Sequence, residues 1–544
     1  MGVRGLTKHL LPYAEWKVLG NPAEGQSRSP YHEGTNVVID GPSDRIYFDG
    51  FLPEHKIDTR QERLEKSITE LFDFRASHPN GFPSLPLTLS TSAANNAQVD
   101  SAFSLQAILR DNPQSLTSRN LPSPPFIVPA VIHALRASEF KCSVDLVPGE
   151  ADPYCAARAS VIRGVIFTAD SDLLIHDSGP GGSVVLLDHI QLEAQVENGT
   201  TLRAPIFEPG KISQKLGIGS DVQALQNLAY LLQEVPGISF HQALQKVRSR
   251  KDRGVELAHE PFHLVNATNQ TLARHEAALF DDDHLRYFRL HGQHLDPRLA
   301  EICLQLHLKV KPMEHAMYLP VLLEDPARAS AWEVSVPFRH LAYTYLIHRS
   351  SCGSMQSKIY EYRRKGQRLV QNPLSTSSSE ERNVLNEAFI VCDQLGAVHS
   401  AFNNIHPTIL RWRYVAARYV LDWYDSEAKT LPSVETVMHI IMGKGKSKWS
   451  WDGIHFAAQI DGVLYSVHMI RQVLQYLHIV PSEWETSCNV DGFASSAMGI
   501  AQILKDLPVF EKLLLSTRET RWLSDSSRYV MPGQELRKRL FPVS

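Results

Sequence analysis

The sequence has few cysteines, and none of them is arranged for a metal site. The six cysteines among its 544 residues form no CxxC pair and no Cys/His pairing at the spacing of zinc ligands. The N-terminus has no basic region followed by an apolar run. We therefore expect buried thiols in a reducing compartment, with no disulfide framework and no secretion.

Long hydrophobic runs and an excess of charge are also missing. No window reaches eighteen apolar residues, so no membrane span is predicted. The formal net charge of -4 provides no overall attraction to nucleic acid, and any such binding requires local basic patches. The length and the 43% hydrophobic content fit two or three globular domains, each with its own core.

The first 190 residues alternate short apolar runs with helical stretches, which is the pattern of βα units and a mostly parallel sheet. Three of the strands end in an acid or just before one: Asp40, Asp49, and the pair Asp170 and Asp172. Ligands gather outside the carboxyl ends of such strands, which favours a site, although capping of helices and turns is the alternative. The predicted strands are Asn36–Asp40, Ile46–Asp49, Val144–Val147, Val165–Thr168 and Ser183–Leu187.

Two short acidic pairs carry the clearest chemistry. Glu150 and Asp152 form the first, and Asp170 and Asp172 form the second. Magnesium prefers oxygen ligands and keeps waters and substrate phosphates in its coordination shell, so converging carboxylates suit phosphodiester hydrolysis. The pattern predicts a metal-dependent nuclease.

The rest of the chain is predicted to be helical, with polar interruptions. Residues 79–125 are rich in Ser, Pro, Asn and Thr and are predicted to be a disordered insertion, and a solvated loop is predicted near 374–384. The expected domains are 1–190, 191–260 and 261–544. The predicted helices are Ala224–Leu232, Pro337–Ile347, Ile409–Tyr424 and Gly453–Leu477.

Two basic clusters stand beside aromatic residues, a combination that suits single-stranded nucleic acid. The alternative for each is a solvated helix face or loop beside core aromatics. One cluster follows Tyr360 and the other precedes Trp449 and Trp451. Their basic residues are Arg363, Arg364, Lys365 and Arg368 in the first, and Lys444, Lys446 and Lys448 in the second.

Several motifs occur in the order found in one known superfamily. The opening Met1-Gly-Val-Arg-Gly-Leu, the strand ending at Asp40, Phe48-Asp49-Gly50, Val147-Pro-Gly-Glu150-Ala-Asp152 and Asp170-Ser-Asp172 together resemble the XPG/flap endonuclease superfamily. Farther on, the nonapeptide from Tyr318 to Pro326 and the pair Ala331-Trp332 are most similar to its Asteroid branch.

The resemblance implies a fold, a cofactor and a substrate. The fold would be α/β, with a PIN-like, mostly parallel N-terminal sheet domain followed by a large all-α region. Lys56 and Arg63 would steer the scissile phosphate, and the substrate would be single-stranded or branched DNA, with nuclear localisation. Two Mg²⁺ or Mn²⁺ ions would be held by Asp40, Asp49, Glu150, Asp152, Asp170 and Asp172.

The connection between Asp40 and Asp49 departs from the family pattern. Gly41-Pro42-Ser43 runs directly into Asp44-Arg45, where the family has a long helix. Because a parallel strand pair needs a crossover of roughly a dozen residues, we expect that these two strands are not parallel neighbours. The abrupt join favours a missing segment after Ser43 over a locally rebuilt sheet.

A second departure concerns Leu228–Ser239, which resembles the family's helix-two-turn-helix but lacks its metal-binding Asp. Glu234 is an imperfect substitute, and Phe240 would hinder close approach of the backbone to phosphate. The alternative to an active nuclease is therefore a weak or inactive Asteroid-type scaffold that binds nucleic acid or protein.

Overall fold

The structure is a computed structural model, and the chain divides into two compact units. The first contains Met1–Pro53, Ala97–Ser115 and Ala134–Gln293, and the second contains Glu54–Asn96, Leu116–His133 and His294–Ser544. The structure describes residues 6–19, 37–39, 45–51, 56–81, 125–137, 143–147, 149–195, 199–219, 222–252, 292–307, 314–350, 358–375, 393–402, 408–442, 450–477 and 499–508.

The elements are numbered here in chain order. The strands are β1 (Glu15–Leu19), β2 (Val37–Ile39), β3 (Arg45–Asp49), β4 (Ser143–Val147), β5 (Val165–Thr168), β6 (Ser183–Leu186), β7 (Gln191–Gln195), β8 (Gly199–Phe207), β9 (Glu314–Tyr318), β10 (Lys358–Lys365) and β11 (Arg368–Ser375). The main helices are α1 (Leu6–Leu10), α2 (Ile57–Ser77), α3 (Ile127–Ala137), α4 (Ala151–Ile162), α5 (Pro209–Lys215), α6 (Val222–Glu234), α7 (Phe240–Asp252), α8 (Pro297–His307), α9 (Val336–Ser350), α10 (Thr408–Ser426), α11 (Val434–Met442) and α12 (Trp451–Tyr476).

The first unit is built on a mixed sheet whose centre is parallel. Strands β6, β5, β2, β3 and β4 lie side by side in that order, and each pairs in parallel with the next. Strand β8 adds antiparallel to β6, and β1 and β7 both pair antiparallel with β8. The five strands predicted from apolar runs correspond to β2–β6, and that prediction is confirmed.

The prediction that β2 and β3 cannot be parallel neighbours is wrong. They pair in parallel through Val38 opposite Arg45 and Ile39 opposite Ile46. A long crossover is needed when strands overlap along their length, but here only two residue pairs overlap. From Ile39 to Arg45 the chain must therefore return by one residue step, about 3.3 Å, and cross about 4.8 Å to the neighbouring strand, which a few residues can span. The connecting residues 40–44 lie outside the described residues, and the pairing requires no extra segment after Ser43.

Strands β1, β7 and β8 were not predicted. Strand β8 contains Pro205, which lies opposite Trp16 of β1, and a proline within an apolar run argues against a central strand. Strand β1 is a short outer strand with alternating polar residues, and its Trp16 is exposed. The edge of the sheet therefore lacks the continuous apolar pattern that marks its parallel centre.

Both faces of this sheet are covered by apolar contacts. Because side chains alternate along a strand, Ile166 faces the larger cluster, formed with α1, α4, α5, α6 and α7, whereas Val165 faces a smaller one. Helix α4 contacts β2, β3 and β5. Strands β5 and β6 thus have buried residues on both faces.

The second unit is not all helical, contrary to the prediction. Strand β10 pairs in parallel with β9 and antiparallel with β11, forming a three-stranded sheet. The strand was missed because its buried face carries Ile359, Glu361 and Arg363, so the hydrophobic alternation typical of a half-buried strand is absent. The four predicted helices are confirmed as parts of α6, α9, α10 and α12.

Helix α12 is the central helix of the second unit. It has 26 residues and is buried on most sides against α9, α10, α11 and the 3-10 helix Ala331–Ser335. A helix that is apolar all round belongs in a protein interior or in a membrane. Across the described part of the chain, no helix is both long and apolar enough to cross a bilayer.

Buried ion pairs join the sheet of the second unit to α9 and to the loop that contains Glu324. Arg339 of α9 donates to both carboxylate oxygens of Glu361, at 2.5 and 3.0 Å, and Tyr343 donates to Glu361 at 2.9 Å. Arg364 donates to Glu324 at 2.7 Å, with both side chains 1% exposed. Burial raises the pKa of Glu361, but Arg339 reverses this and holds the pKa below its ordinary value.

We predict that Arg364→Met destabilises the second unit by about 3–5 kcal/mol, because it leaves the Glu324 carboxylate buried without its partner. The matched control is Lys365→Met, next in the same strand but exposed, which should stay within about 0.5 kcal/mol. Guanidinium unfolding followed by tryptophan fluorescence measures this unit, since every Trp except Trp16 follows residue 294. Equal midpoints for both variants would contradict the prediction.

We also predict a pH-dependent contribution from Asp461 of α12. Burial raises its pKa from 3.8 to about 6, against the opposing charge of Arg413. Because the folded-state pKa is the higher one, the stabilisation is complete below about pH 4 and is lost as pH rises through about 6. In Asp461→Asn the unfolding midpoint should change less with pH across that window than it does in the wild type. Asp425→Asn, at an exposed position of α10, is the control and should show the pH dependence of the wild type.

Candidate active site at the carboxyl edge of the sheet

The described acids of the predicted site lie at one edge of the first unit's sheet. Asp49 ends β3, Glu150 and Asp152 follow β4, and Asp170 and Asp172 follow β5. Since β5, β2, β3 and β4 are consecutive parallel neighbours, their carboxyl ends point the same way. Asp40 directly follows β2 in the sequence but lies outside the described residues.

Asp49 also holds the start of α4. Its Oδ1 accepts a hydrogen bond of 2.7 Å from the backbone N–H of Ala151, the first residue of that helix. Glu150 is the N-cap residue, with extended backbone, and Asp152 is in the first turn. The N–H groups at the start of a helix and the helix dipole favour negative charge, and the first acidic pair lies at such a helix end.

Asp170 and Asp172 are ordered by a tight turn after β5. Thr168 Oγ1 accepts from the Asp170 N–H at 2.9 Å, and Asp170 Oδ1 accepts from the Asp172 N–H at 3.0 Å. Asp170 caps the 3-10 helix Ser171–Ile175. Both aspartates remain partly exposed, whereas Thr168 is fully buried. The hydrogen bond to Thr168 therefore connects the acidic pair to the protein core.

These residues fit a hard divalent cation by donor type, since carboxylate oxygens are the ligands that Mg²⁺ prefers. Their described geometry does not complete a cage. Within the described ranges, no group of three or more His, Cys, Asp or Glu side chains could hold an ion. A complete set of ligands therefore requires Asp40, or a closer approach of the acids than the structure has.

The structure also shows two residues of this edge that the sequence prediction omitted. Thr168 orders the second acidic pair, and a Thr two residues before an Asp at a strand end is the signal for such a turn. Asp188 is exposed and follows β6, the parallel neighbour of β5. Applying the rule of acids after strands to the predicted strand Ser183–Leu187 would have included it.

The predicted phosphate-steering residues belong to the second unit. Lys56 immediately precedes α2, and Arg63 is exposed on that helix. Arg60, one turn before Arg63, donates to Glu301 at 2.6 Å, and its guanidinium lies 5.2 Å from the ring centre of Tyr318. Arg60 therefore anchors α2 in the second unit, and the sequence prediction did not include this residue.

The region that resembles a helix-two-turn-helix is formed by α6 and α7. Glu234 ends α6, and Gly237 in the turn has a φ of +75°. Ser239 and Gln242 cap α7 reciprocally, with the Ser239 N–H donating to Gln242 at 2.9 Å. Phe240 stacks on His9 with ring centres 4.4 Å apart, so the bulky residue is packed against α1.

The predicted nucleic-acid-binding residues divide into buried and exposed groups. Arg363 and Arg364 are buried in β10, where Arg363 pairs with Glu333 at 2.7 Å and Arg364 pairs with Glu324. Lys365 and Arg368 are exposed at the turn between β10 and β11. Lys444, Lys446 and Lys448 lie outside the described residues.

The chain was compared with known families, curated proteins and solved structures. A family model described as "XPG domain containing" matches residues 123–376, a range that includes both acidic pairs and the β10–β11 hairpin. Comparison with curated proteins and with solved structures gave no match. The matched range begins after Asp40 and Asp49, and over residues 123–376 it supports the resemblance to the XPG/flap endonuclease superfamily.

Proposed function

We propose that this protein is a divalent-metal-dependent endonuclease that hydrolyses phosphodiester bonds in single-stranded or branched DNA. The observation that carries the proposal is the placement of Asp49, Glu150, Asp152, Asp170 and Asp172 after consecutive strands at one carboxyl edge. The family match supports the same reaction class, because XPG-type domains are nuclease domains.

The proposed cofactor is a pair of Mg²⁺ or Mn²⁺ ions. When bound, such ions polarise the phosphate and make water a stronger nucleophile at neutral pH. Asp40 would join the five described acids as a ligand. The chain's own contribution is to hold ionised carboxylates in place through the backbone N–H groups of Ala151 and Asp172.

Further parts of the proposal rest on the sequence resemblance. Lys56 and Arg63 would steer the scissile phosphate, since fixed positive charge stabilises the charge that develops during phosphoryl transfer. The chain would belong to the Asteroid branch, with a PIN-like strand order, and would act in the nucleus. The short basic run Arg537-Lys538-Arg539 is the sequence support for that location.

A second candidate is a weak or inactive scaffold that binds nucleic acid or protein. The specific observation in its favour is that the described acids form no group of three that could hold an ion. Two features of the α6–α7 region also favour the scaffold. The metal-binding Asp expected from the resemblance is absent, with Glu234 as an imperfect substitute, and the bulky Phe240 packs against His9. Such a protein would bind nucleic acid or protein and would cut DNA weakly or not at all.

We predict that Asp170→Asn/Asp172→Asn protein loses cleavage of labelled flap and single-stranded DNA by more than about a hundredfold. Losses of 10–100-fold are typical for changes that only support a metal ligand. Asn keeps the acceptor oxygen of Asp170 for the Asp172 N–H, so the turn and the thermal midpoint should be retained. Cleavage is measured in Mg²⁺ and in Mn²⁺, with a chelator as the metal-free control.

The matched control is Asp177→Asn. Asp177 is exposed and lies before β6, at the amino edge of the sheet, where Oδ1 accepts from the Gly179 N–H at 2.9 Å. This variant should cut like the wild type. Equal products from wild type and the double variant, or none from either, would exclude the endonuclease and leave the scaffold.

We predict that Lys365→Gln/Arg368→Gln protein binds single-stranded DNA more weakly. If both residues contact phosphates, the slope of log affinity against log salt should fall by about 1.4, or about 0.7 for each charge. Fluorescence anisotropy with a labelled oligonucleotide measures this slope. The control is Lys505→Gln, at another exposed lysine of the second unit. If the double variant keeps the wild-type slope, as the control should, the β10–β11 hairpin does not contact DNA.

A further inference from the structure

One backbone oxygen joins the two acid-bearing segments that follow β3 and β4. The Val147 carbonyl accepts a hydrogen bond from the Gly50 N–H at 2.9 Å and another from the Gly149 N–H at 2.8 Å. Gly50 directly follows Asp49, and Gly149 directly precedes Glu150. The Gly50 hydrogen bond is therefore the last one of the β3–β4 ladder, whose register ends at Asp49 opposite Val147.

The two glycines are required for different reasons. At Gly50 the limit is space, since a Cβ would lie 2.5 Å from the Val147 carbonyl oxygen, and real Cβ atoms do not approach so closely. Relief would require backbone to move. At Gly149 a Cβ would meet nothing within 4 Å, but the φ of +150° is a conformation that side-chain-bearing residues rarely adopt.

A third contact fixes the direction of the Asp49 side chain. Its Oδ1 accepts from the Ala151 N–H at 2.7 Å, so the same two segments are connected through backbone at Val147 and through side chain at Asp49. Separation of β3 from β4 at Gly50 would break both connections together. The position of Asp49 relative to Glu150 and Asp152 therefore depends on the absence of a side chain at Gly50.

We infer that Gly50 is a positioning residue for the acidic site, and that the joint formed by Gly50, Val147 and Gly149 sets the spacing of Asp49 from Glu150 and Asp152. The inference rests on the proposed function, since the spacing matters for metal binding. It concerns a residue with no functional group of its own. Its role is to let two strands approach at the point where the acids begin.

The test is Gly50→Ala in the full chain, with Mn²⁺ binding measured by titration calorimetry and cleavage measured as a function of Mn²⁺ concentration. We expect roughly tenfold weaker binding, the range for changes that support a metal ligand, and an equal rise in the half-saturating Mn²⁺ concentration. A merely structural loss would lower the amount of active protein without changing that concentration. Gly499→Ala, where a Cβ meets nothing within 4 Å and φ is not positive, is the matched control.

Hydrogen exchange supplies a readout that needs neither metal nor activity. Peptides covering residues 149–156 should exchange faster in Gly50→Ala than in the wild type, because the Ala151 N–H loses its acceptor. Gly149→Ala, which has open space for the methyl group, should act in the same direction, and it replaces Gly50→Ala if that variant does not fold.

The outcomes separate the two hypotheses. Wild-type exchange and wild-type Mn²⁺ affinity in the variants would overturn the inference. Wild-type protein that binds Mn²⁺ without cutting DNA would overturn the proposed nuclease alone, and weaker binding in Gly50→Ala would still support the joint. Wild-type protein that does not bind Mn²⁺ would overturn both.

Discussion

Parallel pairing of β5, β2, β3 and β4 is the constraint on which the candidate site depends, because it brings four carboxyl ends to one edge. Backbone N–H groups orient the acids at the described positions, since Ala151 donates to Asp49 and Asp172 donates to Asp170. The turns after the strands therefore position the carboxylates as well as reverse the chain.

In the second unit, charged side chains are buried in ion pairs. Arg339, Glu361, Arg364 and Glu324 are buried together, and a buried charge is tolerated only when it is paired and hydrogen-bonded. These groups serve the packing of the three-stranded sheet on its helices. The charged residues in the middle of β10 are therefore part of the protein core. The exposed basic residues of β10 and β11 lie at the strand ends, as Lys365 does.

The sequence predicted the parts of the fold in which one physical signal dominates. The apolar runs of β2–β6 and the helical periodicity of α9, α10 and α12 need only local patterning. The prediction from sequence failed where contacts between residues distant in sequence determine the structure. A strand with Glu361 and Arg363 on its buried face follows no hydrophobic period, and the partners of Arg364 are distant in sequence. The acids of the candidate site were predicted from acidic pairs, strand ends and the family resemblance, but their mutual distances depend on contacts such as Gly50 with Val147.

Whether the edge can bind metal is a question of spacing more than of composition. A carboxylate offers roughly four lone-pair sites, so the hydrogen bond from the Asp172 N–H leaves Asp170 with acceptor sites for an ion. Among the described residues, no three acids lie close enough together to hold an ion. Two strands can approach no closer than their backbones allow, and glycine at position 50 permits the closest approach at the end of β3. The smallest residue at this edge thus controls how near the charged ones can lie.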